Sequence, residues 1–310
     1  MLSVVVLSFN RKDALARTLR ELETLLHVAG GGAGGGEIIV VDNASTDGTP
    51  AAIRAQFPRV KLIALTENVG VAGFNRGAEK ARGDTLLILD DDAWPTASAV
   101  RGATALLARD EDIGAVSLLP RHPASGKAEW PHATTAQDRW PFMGCGLVVR
   151  AEAWKRVHGY EESFFLYRND TDLSLKLLAA GYDVRFEPAW VVWHDSIAAD
   201  RKPLRWLRIA TRNWAWMTRR HGRGVWALAG LFVGFSWALH LAGFHPTRLA
   251  AVARGMIDGL FSSTPPLPPG VNPDGSAFER LIKLRLSPRR LATASQSAAA
   301  TIASSVRHSA

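Results

Sequence analysis

The sequence predicts an α/β fold with a mostly parallel central sheet, followed by a helical region toward the C-terminal end. Three observations predict it. Short β-branched runs alternate with helical patterns through the first two thirds of the chain. The run "DTLLILD" does not alternate apolar with polar residues, which fits a strand covered on both faces. Beyond Lys202 the strand-like runs stop, and arginines, tryptophans and a long uncharged stretch replace them.

The elements follow in order. "LSVVVLSF" reads as a buried first strand, and Leu15, Leu19, Leu22 and Leu26 mark one face of a helix from about Asp13 to His27. "GGGAGGG" is a flexible loop that lacks the Lys-Ser/Thr of a phosphate loop, so it takes no nucleotide role. "EIIVVD", "VKLIALTE" and "DTLLILD" are further strands, separated by a capped turn and helix in "NASTDGTPAAIRAQF" and a helix in "GVAGFNRGAEKAR". After Pro95 the pattern is mixed and rich in loops, until "GCGLVVR", a helix near "AEAWKRV", a helix after Asp170 carrying Leu173, Leu177 and Ala180, and the strand "VRFEPAWVVWH". Gly181 ends the helix that follows Asp170.

These patterns divide the chain into a catalytic domain over 1–199, with halves of about 1–95 and 96–199, a basic, tryptophan-rich helical region over 200–262, and a Pro-rich linker, short helix and disordered tail over 263–310. The formal charge of +8 is unevenly spread: residues 1–199 carry 21 Lys and Arg against 25 Asp and Glu, residues 200–310 carry 16 against 4. A basic partner surface is therefore expected only in the C-terminal third. The single cysteine, Cys145, excludes an intramolecular disulfide framework, fits a reducing compartment and reads as a packed thiol in "MGCGLVV". The apolar run in "MLSVVVLSFNRK" is too short for a signal peptide.

In parallel sheets of this kind ligands sit at the carboxyl ends of the strands, where Ser8–Asn10, Asp42–Asn43 and Asp90–Asp92 all fall. Three adjacent aspartates repel one another unless water screens them or a cation sits among them. Two carboxylates one residue apart can share a Mg²⁺ or Mn²⁺ that also holds a diphosphate; a solvated acidic turn is the alternative. Asn43, Ser45 or Asp47 can cap a helix, while Asp42, just before them, can accept a hydrogen bond from a nucleobase imide. Asp170 and Asp172 open a helix, where capping and dipole effects alone explain one of them, and a carboxylate facing the metal edge can instead serve as a general base. His194 ends a strand as a structural residue or as a neutral imidazole ligand beside two carboxylates.

"VVVLSFNR", "VDNASTDGT", "ENVGVAGFNRGAEKARGD", "LLILDDDAWP", "GCGLVVR", "ESFFLYRNDTDLSLKLLAAGYDV" and "WHDS" occur in the order seen in family-2 glycosyltransferases of the GT-A fold, which residues 2–197 resemble. The likeness is nearest to bacterial rhamnosyl- and galactofuranosyl-type members. It implies a GT-A type nucleotide-binding sandwich, with Ser8, Phe9, Asn10, Asp42, Asn68, Asn75, Asp90 and Asp91 binding nucleotide-sugar. It also implies that Asp90, Asp92 and His194 hold a divalent metal, Mn²⁺ or Mg²⁺, and that Asp170 is the catalytic base. That base usually follows another acid; here it follows Asn169. The resemblance thus implies inverting transfer from a UDP- or dTDP-linked sugar to a glycan or lipid-linked acceptor. Trp130, His132 and Trp140 are further candidates for lining the sugar site.

Two other readings stand beside this one. A nucleotidyltransferase would be expected to carry a glycine-rich loop with a basic residue after the first strand, which "SFNRKDAL" lacks. A non-catalytic membrane-bound scaffold is suggested only by Asn169. In the C-terminal third, Arg201, Arg205, Arg208, Arg212, Arg219 and Arg223 form one helical stripe, and residues 224–244 contain no Asp, Glu, Lys or Arg. A helix of that length spans about 30 Å. This pairing favours an anionic membrane surface over nucleic acid, which needs no apolar segment of that length. Peripheral or monotopic attachment on the cytoplasmic face is expected, with Gly230, Gly234, Ser236 and His240 making a poor spanning helix.

Overall fold

The computed structural model describes residues 1–29, 36–129, 135–196 and 203–286. Most of the glycine-rich loop, Trp130, His132, Arg201 and the low-complexity tail lie outside the described residues. The chain runs β1 (Leu2–Ser8), α1 (Lys12–Ala29), β2 (Glu37–Asp42), α2 (Thr49–Gln56), β3 (Lys61–Ala64), α3 (Ala72–Ala78), β4 (Thr85–Asp90) and β5 (Ala93–Pro95). It continues through α4 (Ala97–Arg109), β6 (Ile113–Arg121), β7 (Leu147–Arg150), α5 (Ala151–Arg156), a 3-10 turn (Glu162–Phe164), α6 (Asn169–Ala179) and β8 (Asp183–His194). Four helices follow: α7 (Leu204–His221), α8 (Gly224–Ala242), α9 (Pro246–Phe261) and α10 (Gly275–Leu286).

All eight strands join one sheet in the order β3-β2-β1-β4-β7-β6-β8-β5. The half β3-β2-β1-β4 is parallel, as its β-branched, unalternating runs require, and the order reverses at β1, which opens a crevice at the carboxyl ends. β7 is antiparallel to both β4 and β6, and β5 is antiparallel to β8. The α4 and β6 pair was not separable in the sequence: α4 is alanine-rich with only four fully buried residues, so its apolar face is narrow.

Each face of the sheet carries its own core. Leu15, Leu19 and Leu22 of α1 pack with Val100 and Leu107 of α4 on one side. On the other, Phe74, Trp154, Phe164, Leu173 and Leu177 pack continuously with Trp214 of α7 and Phe278 of α10. Helices α7 and α10 therefore share a core with α6, while α9 packs with α7 and α8 in a smaller cluster.

Two features of those helices bear on the expected basic and apolar surfaces. Arg205, Arg208, Arg219 and Arg223 of the arginine stripe are exposed, and three of the stripe also bind neighbouring elements. Arg208 pairs with Asp258 at 2.9 Å, Arg212 donates to the carbonyls of Ser163 and Phe164, and Arg219 donates to those of Gly259 and Ser262. These three arginines tie α7 to α9 and the 3-10 turn. The glycines of α8 are its packing face: Gly230, Gly234, Ala238 and Ala242 are buried, and a Cβ on Gly234 would collide with the Trp214 indole. Its large apolar residues point out instead, with Val225 and Leu228 each 69% exposed and Phe232 71% exposed.

Candidate functional site

The strand ends build the site. Register places Ser8 beside Asp42 and Leu7 beside Asp90, so β1, β2 and β4 finish at one edge. β5 pairs antiparallel with β8 so that Ala93 lies opposite His194, and the Asp195 amide donates to the Asp92 carbonyl. That pairing, from residues about a hundred apart, brings His194 to the aspartate triplet.

Each aspartate has its own surroundings. Asp91 is buried, accepts from Ser8 Oγ at 2.7 Å and lies 3.5 Å from Arg11 Nε; burial pushes its carboxyl up to about 7. Asp92 is buried between Arg11 Nη2 at 2.8 Å and His194 Nε2 at 3.3 Å; burial opposes its charge, yet these two cations hold it below the usual range. Asp90 projects into the cleft, its Oδ2 4.0 Å from His194 Nε2. The Nδ1 of His194 meets Glu129 at 2.9 Å, and although burial disfavours a charged ring, Asp92 and Glu129 push it up to about 10. The sequence reading missed both Arg11 and Glu129: Arg11 is an ordinary basic residue after a strand, and Glu129 reaches His194 only through tertiary packing.

Two donors suited to a divalent cation, Asp90 and His194, converge here beside a thiol. Asp90, Cys145 and His194 offer ligand atoms all within 4.8 Å of one another. Carboxylate oxygens, an imidazole and the oxygens of a diphosphate suit Mn²⁺ or Mg²⁺, so the residues present fit such an ion. Cys145, expected as a packed thiol, packs against the α1–α4 core and also borders this cluster; burial and the nearby carboxylates raise its pKa.

A cleft of about 500 Å³ brings together Ser8, Phe9, Arg11, Asn68, Asp90, Asp91, Asp92 and His194, with Asn43 and Gly70 on its wall. The exposed Phe9 ring stands at its mouth. Of the three residues able to cap, Asp47 accepts from the Thr49 amide at 3.0 Å at the start of α2, while the Asn43 amide donates to Asn68 Oδ1 and the Gly70 carbonyl, fixing the wall. Asp42 lies buried at the strand end; one carboxylate oxygen accepts from the Ser45 amide, and the other is buried without a partner. An orphaned buried acceptor of this kind suits an N–H donor from a ligand.

Three predicted residues, Asp42, Asn10 and Asn75, fall outside the cleft wall. Asn10, at φ 53°, accepts from the Thr46 amide at 2.7 Å, so its side chain ties the end of β1 to the loop after β2. Asn75 is spent on the backbone of Tyr160, donating to its carbonyl and accepting from its amide, both at 2.9 Å. Tyr160 in turn donates its hydroxyl to Asp170 Oδ1 at 2.8 Å. Asn75 thus supports Asp170 instead of touching the nucleotide space. A larger cavity, about 770 Å³, opens beyond Asn75 and is lined by Lys155 and His158 together with Glu79, Glu152 and Glu162.

Asp170 lies in an adjoining cavity of about 250 Å³, which Asp90, Cys145, Tyr160 and Asn169 also line. Burial pushes its carboxyl up to about 7, against the lowering effect of the Tyr160 hydrogen bond. The loop that delivers it is strained: Phe165, Tyr167 and Arg168 all have φ between 61° and 69°. Two contacts hold it. The Val71 amide donates to the Phe165 carbonyl at 2.7 Å, beneath Gly70, where a Cβ would strike that carbonyl. The buried Asn213 of α7 donates to the carbonyls of Phe164, Leu166 and Tyr167 at 2.8–3.0 Å.

The family model described as "Glycosyl transferase family 2" matches residues 3–173. The chain is 28% identical over 216 residues to an N-acetylglucosaminyl-diphospho-decaprenol L-rhamnosyltransferase of Mycobacterium tuberculosis, covering 54% of this chain and 69% of that protein. It is 28% identical over 166 residues to the succinoglycan biosynthesis protein ExoA of Rhizobium meliloti, covering 47% and 50%. Among solved structures, the mannosyltransferase PcManGT from Pyrobaculum calidifontis, with GDP-Man and Mn²⁺, superposes with a TM-score of 0.55 at 21% identity, covering 92% of this chain and 84% of that one. TarS 1–349 of S. aureus gives a TM-score of 0.60 at 15% identity, covering 84% and 81%. These two likenesses establish the fold.

Proposed function

The chain belongs to glycosyl transferase family 2, and from that premise we propose that it is an inverting, divalent-metal-dependent glycosyltransferase acting on a lipid-linked or glycan acceptor at a membrane surface. One observation carries the reading: Asp90 lines both the cleft that suits a nucleotide and the smaller cavity holding Asp170. A donor sugar in the cleft therefore meets, across Asp90, a carboxyl positioned to take a proton.

The geometry supports these roles. Asp42 accepts from the imide of uracil or thymine, and Phe9 offers a face for the base. Arg11 faces the departing diphosphate, where its charge favours the leaving group. Asp90, Asp92 and His194, with Cys145 beside them, would hold Mn²⁺ or Mg²⁺. When bound, that ion supplies charge stabilisation for the nucleoside diphosphate. Asp170, oriented by Tyr160, takes the proton of the acceptor hydroxyl as its oxygen attacks the anomeric carbon opposite the leaving group, so the anomeric centre inverts. The named substrate of the mycobacterial relative is a diphospho-prenol, and the exposed apolar residues of α8, with Phe261 of α9 at 82% exposure, suit contact with the bilayer that carries such an acceptor.

Isothermal titration with UDP and dTDP, each in Mn²⁺ and in EDTA, tests the reading. Metal-dependent binding that is lost in Asp92→Ala is expected, and the tighter nucleotide names the base. Absence of binding under every condition would sink it.

A further inference from the structure

Beside Asp170 lies a pair of charges the transfer reaction does not use. Arg168 immediately precedes α6, and Arg285 sits in the last turn of α10. Both guanidinium groups lie over the Trp214 ring, at 5.3 and 5.9 Å from its centroid. Trp206 and Trp237 also face Arg168, at 5.8 and 4.8 Å. Among the described residues neither guanidinium has a hydrogen bond or an ion pair, and Arg168 Nε and Arg285 Nη2 are sealed from solvent without partners. The rest of each side chain is only partly covered.

Two like charges are unfavourable together, and more so where water is displaced. Burial and the charge of Arg285 bring Arg168 down to about 9. The indole faces recover part of the cost, but they supply no acceptor for the forked N–H donors. A phosphate would satisfy both deficits, offering oxygens to two guanidinium groups and charge to offset two cations. The cage also adjoins both the reacting side and an outer helix. Trp206 packs on Tyr167, which lines the Asp170 cavity, and on the half-exposed Trp237 of α8, the helix whose apolar side chains face outward.

We propose that Arg168 and Arg285 form a phosphate site that receives the diphosphate of a prenyl-linked acceptor, with the prenyl chain passing along α8 and the acceptor sugar toward Asp170. This rests on the acceptor class named above, and its test is independent of nucleotide binding. The protein, in detergent and EDTA, is titrated with farnesyl diphosphate, farnesol and inorganic pyrophosphate. Farnesyl diphosphate is expected to bind at least tenfold more tightly than farnesol. Arg168→Gln and Arg285→Gln are each expected to weaken it at least tenfold, while Mn²⁺-dependent UDP or dTDP binding stays within twofold. Competition by pyrophosphate would show that the site recognises phosphate without the lipid; its failure to compete would show that the prenyl chain is required. Equal binding of farnesol and farnesyl diphosphate to the unmodified protein overturns the proposal whether or not either variant folds. So does undiminished farnesyl diphosphate binding in folded variants of both arginines, which would leave the cage a packing device. Prenyl diphosphate binding in a protein that binds no nucleotide would break the transferase reading alone.

Discussion

The two sides of α6 treat a carboxylate in opposite ways. Asp170 faces the cleft cavity with one strong partner, the Tyr160 hydroxyl, and burial raises its pKa to about 7. Two residues on, Asp172 is fully buried against the C-terminal helices. It meets His221 Nε2 at 2.9 Å, Arg220 Nη1 at 3.4 Å and Lys176 Nζ at 3.9 Å. Burial alone would raise this carboxyl too, but those partners hold it below the usual range. One helix turn thus carries a group poised to exchange a proton and another fixed in its charge. Two cations and a hydrogen-bonding imidazole make the difference, and α7 supplies the imidazole and one of the cations. Arg220 extends the network to Glu161 and the Pro266 carbonyl, so α7 is bound into the ground beneath the reacting side.

Removing the base gives the largest effect. Asp170→Asn is expected to lower turnover by about 10²–10⁴-fold with nucleotide binding unchanged. Steady-state rates paired with titration check this; retained turnover would place the base elsewhere. The variant should also fold more stably at pH 8. The raised pKa of Asp170 stabilises the fold fully below the unfolded carboxylate value, and that contribution is lost as pH rises through about 7. Because the cavity is open, the gain is set at about 1–2 kcal/mol, below the full linkage value.

Asp172→Ala tests the other side. It strands Arg220 and Lys176, and breaking such a buried network costs about 3–5 kcal/mol, measured by urea unfolding. The sign of its pH dependence is opposite to that of Asp170. A depressed pKa gives stability that is present above about pH 4 and lost as pH falls, so the variant should lose the acid-side slope of the wild-type curve. A variant as stable as the wild type would make the contrast between the two carboxylates meaningless.

Asn213→Leu asks whether α7 also reaches the reacting side. Without its amide the carbonyls of Phe164, Leu166 and Tyr167 lose their donor, and the strained loop before Asp170 relaxes. A displacement of about 1 Å at the base lowers turnover by about 10²-fold while leaving the nucleotide cleft intact. A fall in kcat with unchanged UDP or dTDP affinity supports the link; a fall in melting temperature alone shows only a packing role.

What the sequence made legible follows from the range of the interaction concerned. β1, β2 and β4 and their polar ends were readable because unalternating apolar runs and the rule for carboxyl ends are local or topological. The aspartate triplet and His194 were readable as candidates, although only the β5–β8 register shows why they meet. Asn75 misled because a buried amide serves a ligand or a neighbouring backbone equally well, and here Tyr160 claims it. Arg11, Glu129 and Asn213 gave no signal: each acts across tens of residues or more through packing alone. The arginine stripe had the right period for a helix, but period does not show which of its members also bond to the carbonyls of α9.

The smallest expected effect concerns the fine position of the base. Turnover should rise with pH through about 7, because only ionised Asp170 accepts the proton. The Tyr160 hydrogen bond favours that ionised form, so Tyr160→Phe should move the acid limb upward, by about one pH unit for a hydrogen bond to a charged group. Asn169→Asp should move it the same way by about half a unit, since it sets a like charge where an amide Nδ2 now lies 3.4 Å from Asp170 Oδ1. Rates at pH 9 should be nearly restored in Asn169→Asp, because the base is then fully ionised. The same substitution should leave the acid-side unfolding curve, governed by Asp172, where it was. A pH–rate profile that does not move in either variant would mean that the limb belongs to another group, with Asp91, also pushed up to about 7, the next to test by Asp91→Asn.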